Sequence, residues 1–367
     1  MIIKKCKGCG SILQDIDDKK PGFIPKLTEE SKYCKRCYRM MHYNELPKII
    51  ASNDDYEKVI DSVIKKNGLM VFIVDIFAFK ATFNKKMIDK LRDKNVILVA
   101  NKYDVFPHST NVSNIVNWLS KECEKVFFRV DAIHIVSSKK GYFIDELMNT
   151  IDLLRNGKDV YFVGCANVGK SSLINALLKR KTSIDSDVIS TSVIPGTTLN
   201  EITIPFFDDN KAFIDTPGLI NENDVLNQLL PKSYRKIMPS NEMKPITYQI
   251  TNENAIFLGG LASLSFSNVL EKISVIVYTS QDLYIHRCKA SNVDNLYNTQ
   301  LGKILTPPVL EEASSLEYDE KIFEFSGDKK INIWFSGFGF VAVKGKCSVK
   351  VKYIKNTEVY VTDAIIG

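Results

Sequence analysis

Long apolar stretches are missing from this sequence of 367 residues. The best run, residues 69–79, is interrupted by Asp75, whereas a membrane span needs about 20 apolar residues. Glycine (18) and proline (12) are too few for a collagen-like or low-complexity chain, and eight cysteines in this length do not make a disulfide scaffold. The 45% apolar and 25% charged fractions are typical of soluble globular proteins. Composition therefore excludes a membrane span and a wholly disordered chain, we expect no membrane partner, and the length indicates two or three domains.

Positive charge is concentrated at the start of the chain. Residues 1–50 hold 11 Lys and Arg against 6 Asp and Glu, which accounts for most of the net charge of +6. Such an excess suggests a polyanionic partner. Because Cys6 follows Met1 almost at once, we expect no signal peptide or transit segment, and a cytoplasmic protein.

The chain divides into three parts by composition. Residues 1–48 are short, basic and cysteine-rich and hold too little apolar mass to fold alone. Residues 49–222 alternate β-rich and helix-like segments, which predicts an α/β domain with a mostly parallel sheet. Residues 223–367 lose this regularity, which predicts an α+β domain. The predicted strands of the middle part are 69–75, 96–100, 132–136, 160–164 and 212–215, and its predicted helices are 85–94, 114–125, 143–155 and 170–179.

Two Cys-x-x-Cys pairs lie in the first part. Four thiolates at this spacing, from Cys6, Cys9, Cys34 and Cys37, predict a closed tetrahedral zinc site, which would supply the folding energy that the segment lacks. A redox pair or inert thiols is the alternative. Basic and aromatic residues surround the pairs, among them Lys35, Arg36 and Tyr38. They are typical of an RNA-contacting surface, or else of a solvated charged face.

A phosphate-binding loop is predicted at residues 164–171. The sequence G-x-x-x-x-G-K-S follows an apolar strand and precedes an amphipathic helix, so backbone amides at the helix start would wrap phosphates. Lys170 would reach the β and γ oxygens, and Ser171 would ligate Mg²⁺. The predicted nucleotide contacts in this loop are Gly164, Asn167, Val168, Gly169, Lys170, Ser171 and Ser172.

Two further motifs complete the predicted phosphate and magnesium site. Asp215, at a strand end, would hold Mg²⁺ through water, and the Gly218 amide would sense a γ-phosphate. A hydroxyl from the loop 195–198 would complete the metal shell; Thr198 is favoured, and Thr197 remains an alternative. The residues predicted to act in hydrolysis are Lys170, Thr198, Gly218 and Asn167.

Base recognition is predicted at residues 101–104 and 137–139. The Asp104 carboxylate can accept two hydrogen bonds from guanine N1–H and N2–H₂, a pattern that adenine cannot supply. Asn101 would tie this loop to the phosphate loop, and the stem of Lys102 would cover the base. Ser137, Ser138 and Lys139 would offer backbone amides to guanine O6.

These motifs stand in an unusual order. A GTPase ordinarily runs from the phosphate loop to the base-reading motifs, but here the base-reading motifs come first. The order predicts a circularly permuted P-loop GTPase domain, whose nucleotide-sensitive loop after Asp215 runs into residues 223–367. The C-terminal part would then read the nucleotide state.

Hydrolysis without help is expected to be slow. Leu219 and Ile220 stand where many GTPases have the glutamine that orients water. The Asn167 carbonyl would bind a monovalent cation against the phosphates, or Asn167 would only cap the loop.

In the tail of the sequence, apolar and basic residues alternate between positions 343 and 353. On a β-strand this pattern gives one apolar and one basic face. The basic face is either an RNA-contacting surface or a set of edge-strand lysines that prevent aggregation.

With these residues in view, the chain resembles the YqeH family of circularly permuted GTPases. The resemblance rests on Cys6-x-Gly-Cys-Gly-x-x-Leu-Gln14, on Cys34-x-x-Cys-Tyr-Arg39, on Val74-Asp-Ile-Phe77 and on the permuted motifs. It implies a role in assembling the small (30S) ribosomal subunit, with rRNA or ribosomal proteins as partners, and potassium-stimulated GTP hydrolysis. The alternatives are an RNA-binding adaptor whose GTP site is mainly structural, and a factor that regulates translation.

Overall fold

The computed structural model describes residues 4–6, 11–18, 22–35, 38, 53–181, 201–219 and 225–366. These form two compact units. The first comprises Met1–Ile76, Thr82–Asp104 and Val116–Asn221. The second comprises Phe77–Ala81, Val105–Ile115 and Glu222–Gly367. Within the described ranges, no helix is long and apolar enough to cross a membrane.

A six-stranded sheet forms the centre of the first unit, in the order β3-β2-β1-β4-β6-β5. All pairings are parallel except that of β5 with β6. The strands are β1 (Gly68–Asp75), β2 (Val96–Asn101), β3 (Ala132–Ile135), β4 (Asp159–Gly164), β5 (Ile202–Pro205) and β6 (Ala212–Asp215).

One helix precedes β1, and the others lie in connections between these strands. They are α1 (Asn53–Ile64), α2 (Phe79–Thr82), α3 (Lys85–Leu91), α4 (Val112–Lys125), α5 (Ile144–Leu154) and α6 (Lys170–Lys181). The central strands β1, β2 and β4 are almost wholly buried, as expected for a parallel sheet covered on both faces. The predicted strands and helices of this part are confirmed, with ends shifted by three residues or fewer.

The second unit is β-rich, with only short helices, where the sequence predicted a mixed α+β domain. Two five-stranded sheets have the orders β16-β13-β14-β10-β7 and β11-β8-β9-β15-β12. Inner faces of both sheets contribute to one core that includes Ile256, Val277, Phe335 and Val349. The strands are β7 (Ile246–Ile250), β8 (Asn254–Leu258), β9 (Ala262–Ser267), β10 (Ile273–Thr279), β11 (Ile285–Lys289), β12 (Tyr318–Phe325), β13 (Ile331–Phe335), β14 (Gly339–Lys344), β15 (Cys347–Ile354) and β16 (Val359–Asp363). The helices are α7 (Pro231–Ile237), α8 (Val293–Gln300) and α9 (Leu310–Ala313).

Two short segments from the middle of the sequence pack within this second unit. In Val105–Ile115, the Phe106 ring lies 6.3 Å from that of Phe340, and the backbone N–H of Met243 donates to the Val105 carbonyl over 2.9 Å. In Phe77–Ala81, the Lys80 ammonium lies 5.9 Å from the centre of the Tyr360 ring. Both segments therefore belong to the C-terminal packing, although their neighbours in sequence belong to the central sheet.

Candidate nucleotide-binding site

The phosphate loop connects β4 to α6. Strand β4 lies between β1 and β6 and ends at Gly164, and α6 begins at Lys170, so the first amides of the helix face the mouth of the loop. Gly169 has a φ of +91°, which favours glycine, and a Cβ there would lie 2.3 Å from Asn101 Nδ2. Asn167 also adopts a left-handed conformation, with a φ of +63°. Val168 is buried, and Ser172 is partly buried at the start of α6.

Lys170 points back into the loop. Its ammonium donates to the carbonyls of Cys165, over 2.8 Å, and Gly164, over 3.3 Å. Burial lowers the pKa of Lys170, and the Asp215 carboxylate acts in the opposite direction. A buried cation is stable only with anionic or strongly polar partners, so this position suits the binding of a phosphate.

Two oxygen-bearing side chains meet beside the loop. Ser171 Oγ donates to Asp215 Oδ2 over 2.7 Å, and Asp215 is fully buried at the end of β6. A hydroxyl and a carboxylate are the ligand types that Mg²⁺ prefers, so this pair fits the metal. Gly218 approaches the loop closely, since a Cβ there would lie 2.7 Å from Lys170 Nζ. Thr197 and Thr198 lie outside the described residues.

Asn101 joins three loops at the carboxyl edge of the sheet. Its Nδ2 donates to the Val168 carbonyl over 2.9 Å and to Ser138 Oγ over 3.1 Å, and its Oδ1 accepts from the Ser138 N–H over 3.0 Å. Ser137 Oγ donates to Asp104 Oδ1 over 2.6 Å. The structure thus joins Asn101 to the phosphate loop and to Ser138, and it places Asp104 beside Ser137. Lys139, by contrast, is exposed.

Asp75 also lies at this edge of the sheet, although no predicted motif included it as a candidate site residue. This aspartate ends β1 and is 5% exposed, and its Oδ2 lies 2.5 Å from the ammonium of Lys102. The signal was present, because a carboxylate that interrupts an otherwise apolar strand needs a partner at the strand end.

Leu219 occupies the position after Gly218. Its side chain is buried, and its carbonyl accepts a hydrogen bond from the Ala166 N–H over 2.8 Å. An aliphatic side chain here cannot orient a water molecule for attack on a phosphate.

Two of the four predicted zinc ligands can be placed. Cys6 and Cys34 are both buried, and the Cys34 N–H donates to Cys6 Sγ over 3.2 Å. Amides directed at sulfur stabilise a thiolate, so this geometry fits a metal-bound cysteine. Cys9 and Cys37 lie outside the described residues, and the described part of the chain holds no group of three metal-ligating side chains.

Two of the four lysines on the predicted basic face of the tail pair with carboxylates. The apolar face is confirmed, since Val343, Val349 and Val351 are buried. The edge-strand interpretation of the lysines is wrong for β15, which lies between β9 and β12. Lys350 pairs with Glu320 of β12, and Lys352 pairs with Asp294 of α8. Just after β15, Lys355 pairs with Glu317.

Comparisons with known proteins agree with this geometry. A family model described as "YqeH-like, C-terminal" matches residues 272–365, and one described as "50S ribosome-binding GTPase" matches residues 159–256. The protein YqeH of Bacillus subtilis (strain 168) is 35% identical over 367 residues, which cover 98% of this chain and 99% of that protein. This chain belongs to the YqeH family. The resemblance found in the sequence is thereby confirmed.

Two further relatives match this chain over a smaller part of their own length. NO-associated protein 1, chloroplastic/mitochondrial, of Arabidopsis thaliana is 26% identical over 92% of this chain and 69% of its own length. GTPase Der of Aquifex aeolicus (strain VF5) is 33% identical over 47% of this chain and 39% of its own length. YqeH membership and the matched GTPase model assign a GTPase domain to the chain, which implies GTP or GDP and Mg²⁺ as ligands.

Proposed function

We propose that this protein is a GTP-hydrolysing switch that acts in assembly of the small (30S) ribosomal subunit. The observation that carries the nucleotide part is the Asn101 bridge between the base-reading loops and the phosphate loop. Membership of the YqeH family supports the assignment to ribosome assembly. The matched GTPase model is named for the 50S subunit, so a test must compare both particles.

The proposed domain arrangement is a zinc module (1–48), a circularly permuted GTPase domain (49–222) and a C-terminal domain (223–367). The permutation is supported by the chain order of the motifs, in which residues 101–104 and 137–139 precede the loop at 164–171. It is also supported by the start of the matched GTPase model at residue 159, the first residue of β4.

The proposed site residues have different roles in GTP binding and in hydrolysis. Asp104 selects guanine, and Lys170 neutralises charge on the β and γ phosphates. Ser171 and Asp215, with Thr198, would hold Mg²⁺, which supplies further charge neutralisation when bound. The Gly218 amide senses the γ-phosphate. Because Leu219 offers no polar group, hydrolysis depends on Asn167, which holds K⁺ against the phosphates, or on the assembly partner.

The zinc module and the C-terminal domain are the proposed sites for rRNA or ribosomal proteins. Basic residues near the cysteine pairs, such as Lys4, Lys5 and Lys35, are the better candidates for phosphate contacts. The lysines of β15 are weaker candidates, since they already pair with carboxylates.

Substitution of a zinc ligand tests the module. We expect Cys34→Ser to lose the bound zinc, because Cys6, Cys9 and Cys37 alone leave the tetrahedral site incomplete. The measurement is zinc per chain after dialysis, by elemental analysis. The half-buried Cys288, which has no such partners in sequence, gives the control: Cys288→Ser should keep about one zinc per chain. Full zinc content in Cys34→Ser would exclude the proposed site.

The function itself is tested by GTP turnover in KCl and in NaCl, with 30S subunits, with 50S subunits and with neither. We expect turnover to rise about tenfold with potassium and again with the 30S particle, and the potassium effect to vanish in Asn167→Ala. Equal stimulation by 50S subunits would overturn the choice of particle.

An RNA-binding adaptor with a structural GTP site is the second candidate, and the buried Leu219 favours it. In that case GTP binds tightly, but no condition of the same assay stimulates turnover.

A further inference from the structure

Asp75 and Lys102 form a nearly buried ion pair at the carboxyl edge of the central sheet. Their side chains are 7% and 21% exposed, and Oδ2 and Nζ lie 2.5 Å apart. The parallel register of β1 and β2 pairs Asp75 with Asn101, which places Lys102 one residue beyond the carboxylate. A buried charge must be paired, so neither side chain can leave this contact without a replacement partner.

The backbone around the pair is also tightly held. Lys102 has a φ of +72°, a conformation that a residue with a side chain adopts at a cost. The neighbouring Asn101 is fixed by its bonds to Val168 and Ser138. On the other side, the Asp75 N–H donates to Thr82 Oγ1 over 3.0 Å. Strained backbone that neighbours hold in place on both sides is typical of functional sites.

We propose that Asp75 is a positioning residue for the guanine pocket: it anchors the Lys102 ammonium so that the aliphatic stem is held ready to cover the base. A free lysine side chain samples many rotamers, and fixing its end in advance removes that entropy cost from nucleotide binding. This inference rests on the proposed function of residues 101–104 as the base-reading loop.

The proposed positioning role of Asp75 predicts how its substitution changes the affinities for GTP and GDP. GTP and GDP share the base and differ only in the γ-phosphate, so loss of Asp75 weakens both by the same factor. Because Asp75 acts through Lys102, its substitution has no effect once the lysine is gone. A residue that only stabilised the fold would not give that dependence.

The experiment is a double-mutant cycle read by calorimetric titration with GDP and with GTP. The four proteins are the wild type, Asp75→Asn, Lys102→Met and the double variant. We expect Asp75→Asn to weaken both nucleotides about tenfold, and the double variant to match Lys102→Met within twofold. Wild-type affinity in Asp75→Asn, or a further full loss in the double variant, would overturn the proposal.

The design remains decisive if Asp75→Asn does not fold. Asp75→Glu then replaces it in the cycle, because it keeps the negative charge and moves the carboxylate by one methylene group from its place beside Lys102. We expect Asp75→Glu to bind GDP more weakly than the wild type, and Asp75→Glu combined with Lys102→Met to match Lys102→Met alone. Wild-type affinity in Asp75→Glu would overturn the proposal. Binding of GDP requires no turnover, so this test can fail while the GTPase switch stands, and the switch can fail while Asp75 acts as proposed.

Discussion

Asp104→Asn is expected to weaken GTP binding by at least about 100-fold. Each hydrogen bond to a charged carboxylate contributes about 1.5–3 kcal/mol. In asparagine an NH₂ group replaces one carboxylate oxygen, and it cannot accept a hydrogen bond from an N–H group of guanine. The fold should persist, because the asparagine oxygen can still accept from Ser137 Oγ, which lies 2.6 Å from Asp104 Oδ1. Calorimetric titration with GTP measures the loss.

Xanthosine triphosphate provides the matched control for this substitution. Xanthine carries a carbonyl where guanine carries its 2-amino group, so it accepts the hydrogen bond that the new amide donates. The variant should therefore bind xanthosine triphosphate at least about tenfold more tightly than GTP, with the wild type showing the reverse order. A variant that still prefers GTP would remove Asp104 from base recognition.

Gly169→Ala is expected to weaken GTP and GDP by about 100-fold, which corresponds to about 2.7 kcal/mol. Its φ of +91° costs an L-residue about 1–2 kcal/mol. The new methyl group would also lie 2.3 Å from Asn101 Nδ2 and displace it from Val168 and Ser138. Affinity from titration calorimetry and secondary structure from circular dichroism are the measurements.

The variant Gly157→Ala serves as a control that separates the cost of the positive φ from the clash with Asn101. Gly157 has a φ of +67°, but a Cβ there meets no atom within 4 Å. Gly157→Ala should thus lower the free energy of unfolding by about 1–2 kcal/mol while GTP affinity stays within about twofold. Equal affinities in the two variants would mean that the Asn101 bridge does not support binding.

The central sheet could be predicted because its signals are local. Strands β1, β2 and β4 are short, continuous apolar runs bounded by helical segments, and each phosphate- or base-reading motif follows a strand directly. In a parallel sheet the carboxyl ends of the strands share one edge, so the sequence alone placed Asn101, Gly164 and Asp215 together.

The remaining features depend on pairings between distant residues. Strand β5 pairs antiparallel with β6 and was not predicted, because an alternating pattern over only four residues is too short to identify a strand. The two sheets of the second unit join β10 to β14 and β9 to β15, which pairs residues at least 60 positions apart in sequence. Period-2 patterns cannot specify such partners, which explains why the carboxylates opposite the β15 lysines were not foreseen.

The segments Phe77–Ala81 and Val105–Ile115 connect the C-terminal unit in sequence to the end of β1 at Asp75 and to the turn after β2 that carries Asp104. A third connection leaves the sheet after Asp215. In the proposed switch, the first two would report whether the guanine pocket is filled, because GTP and GDP share the base. The third would report the γ-phosphate through Gly218. The C-terminal unit would then receive nucleotide occupancy and hydrolysis through separate connections, and the proposed switch would have three distinguishable states: empty, GDP-bound and GTP-bound.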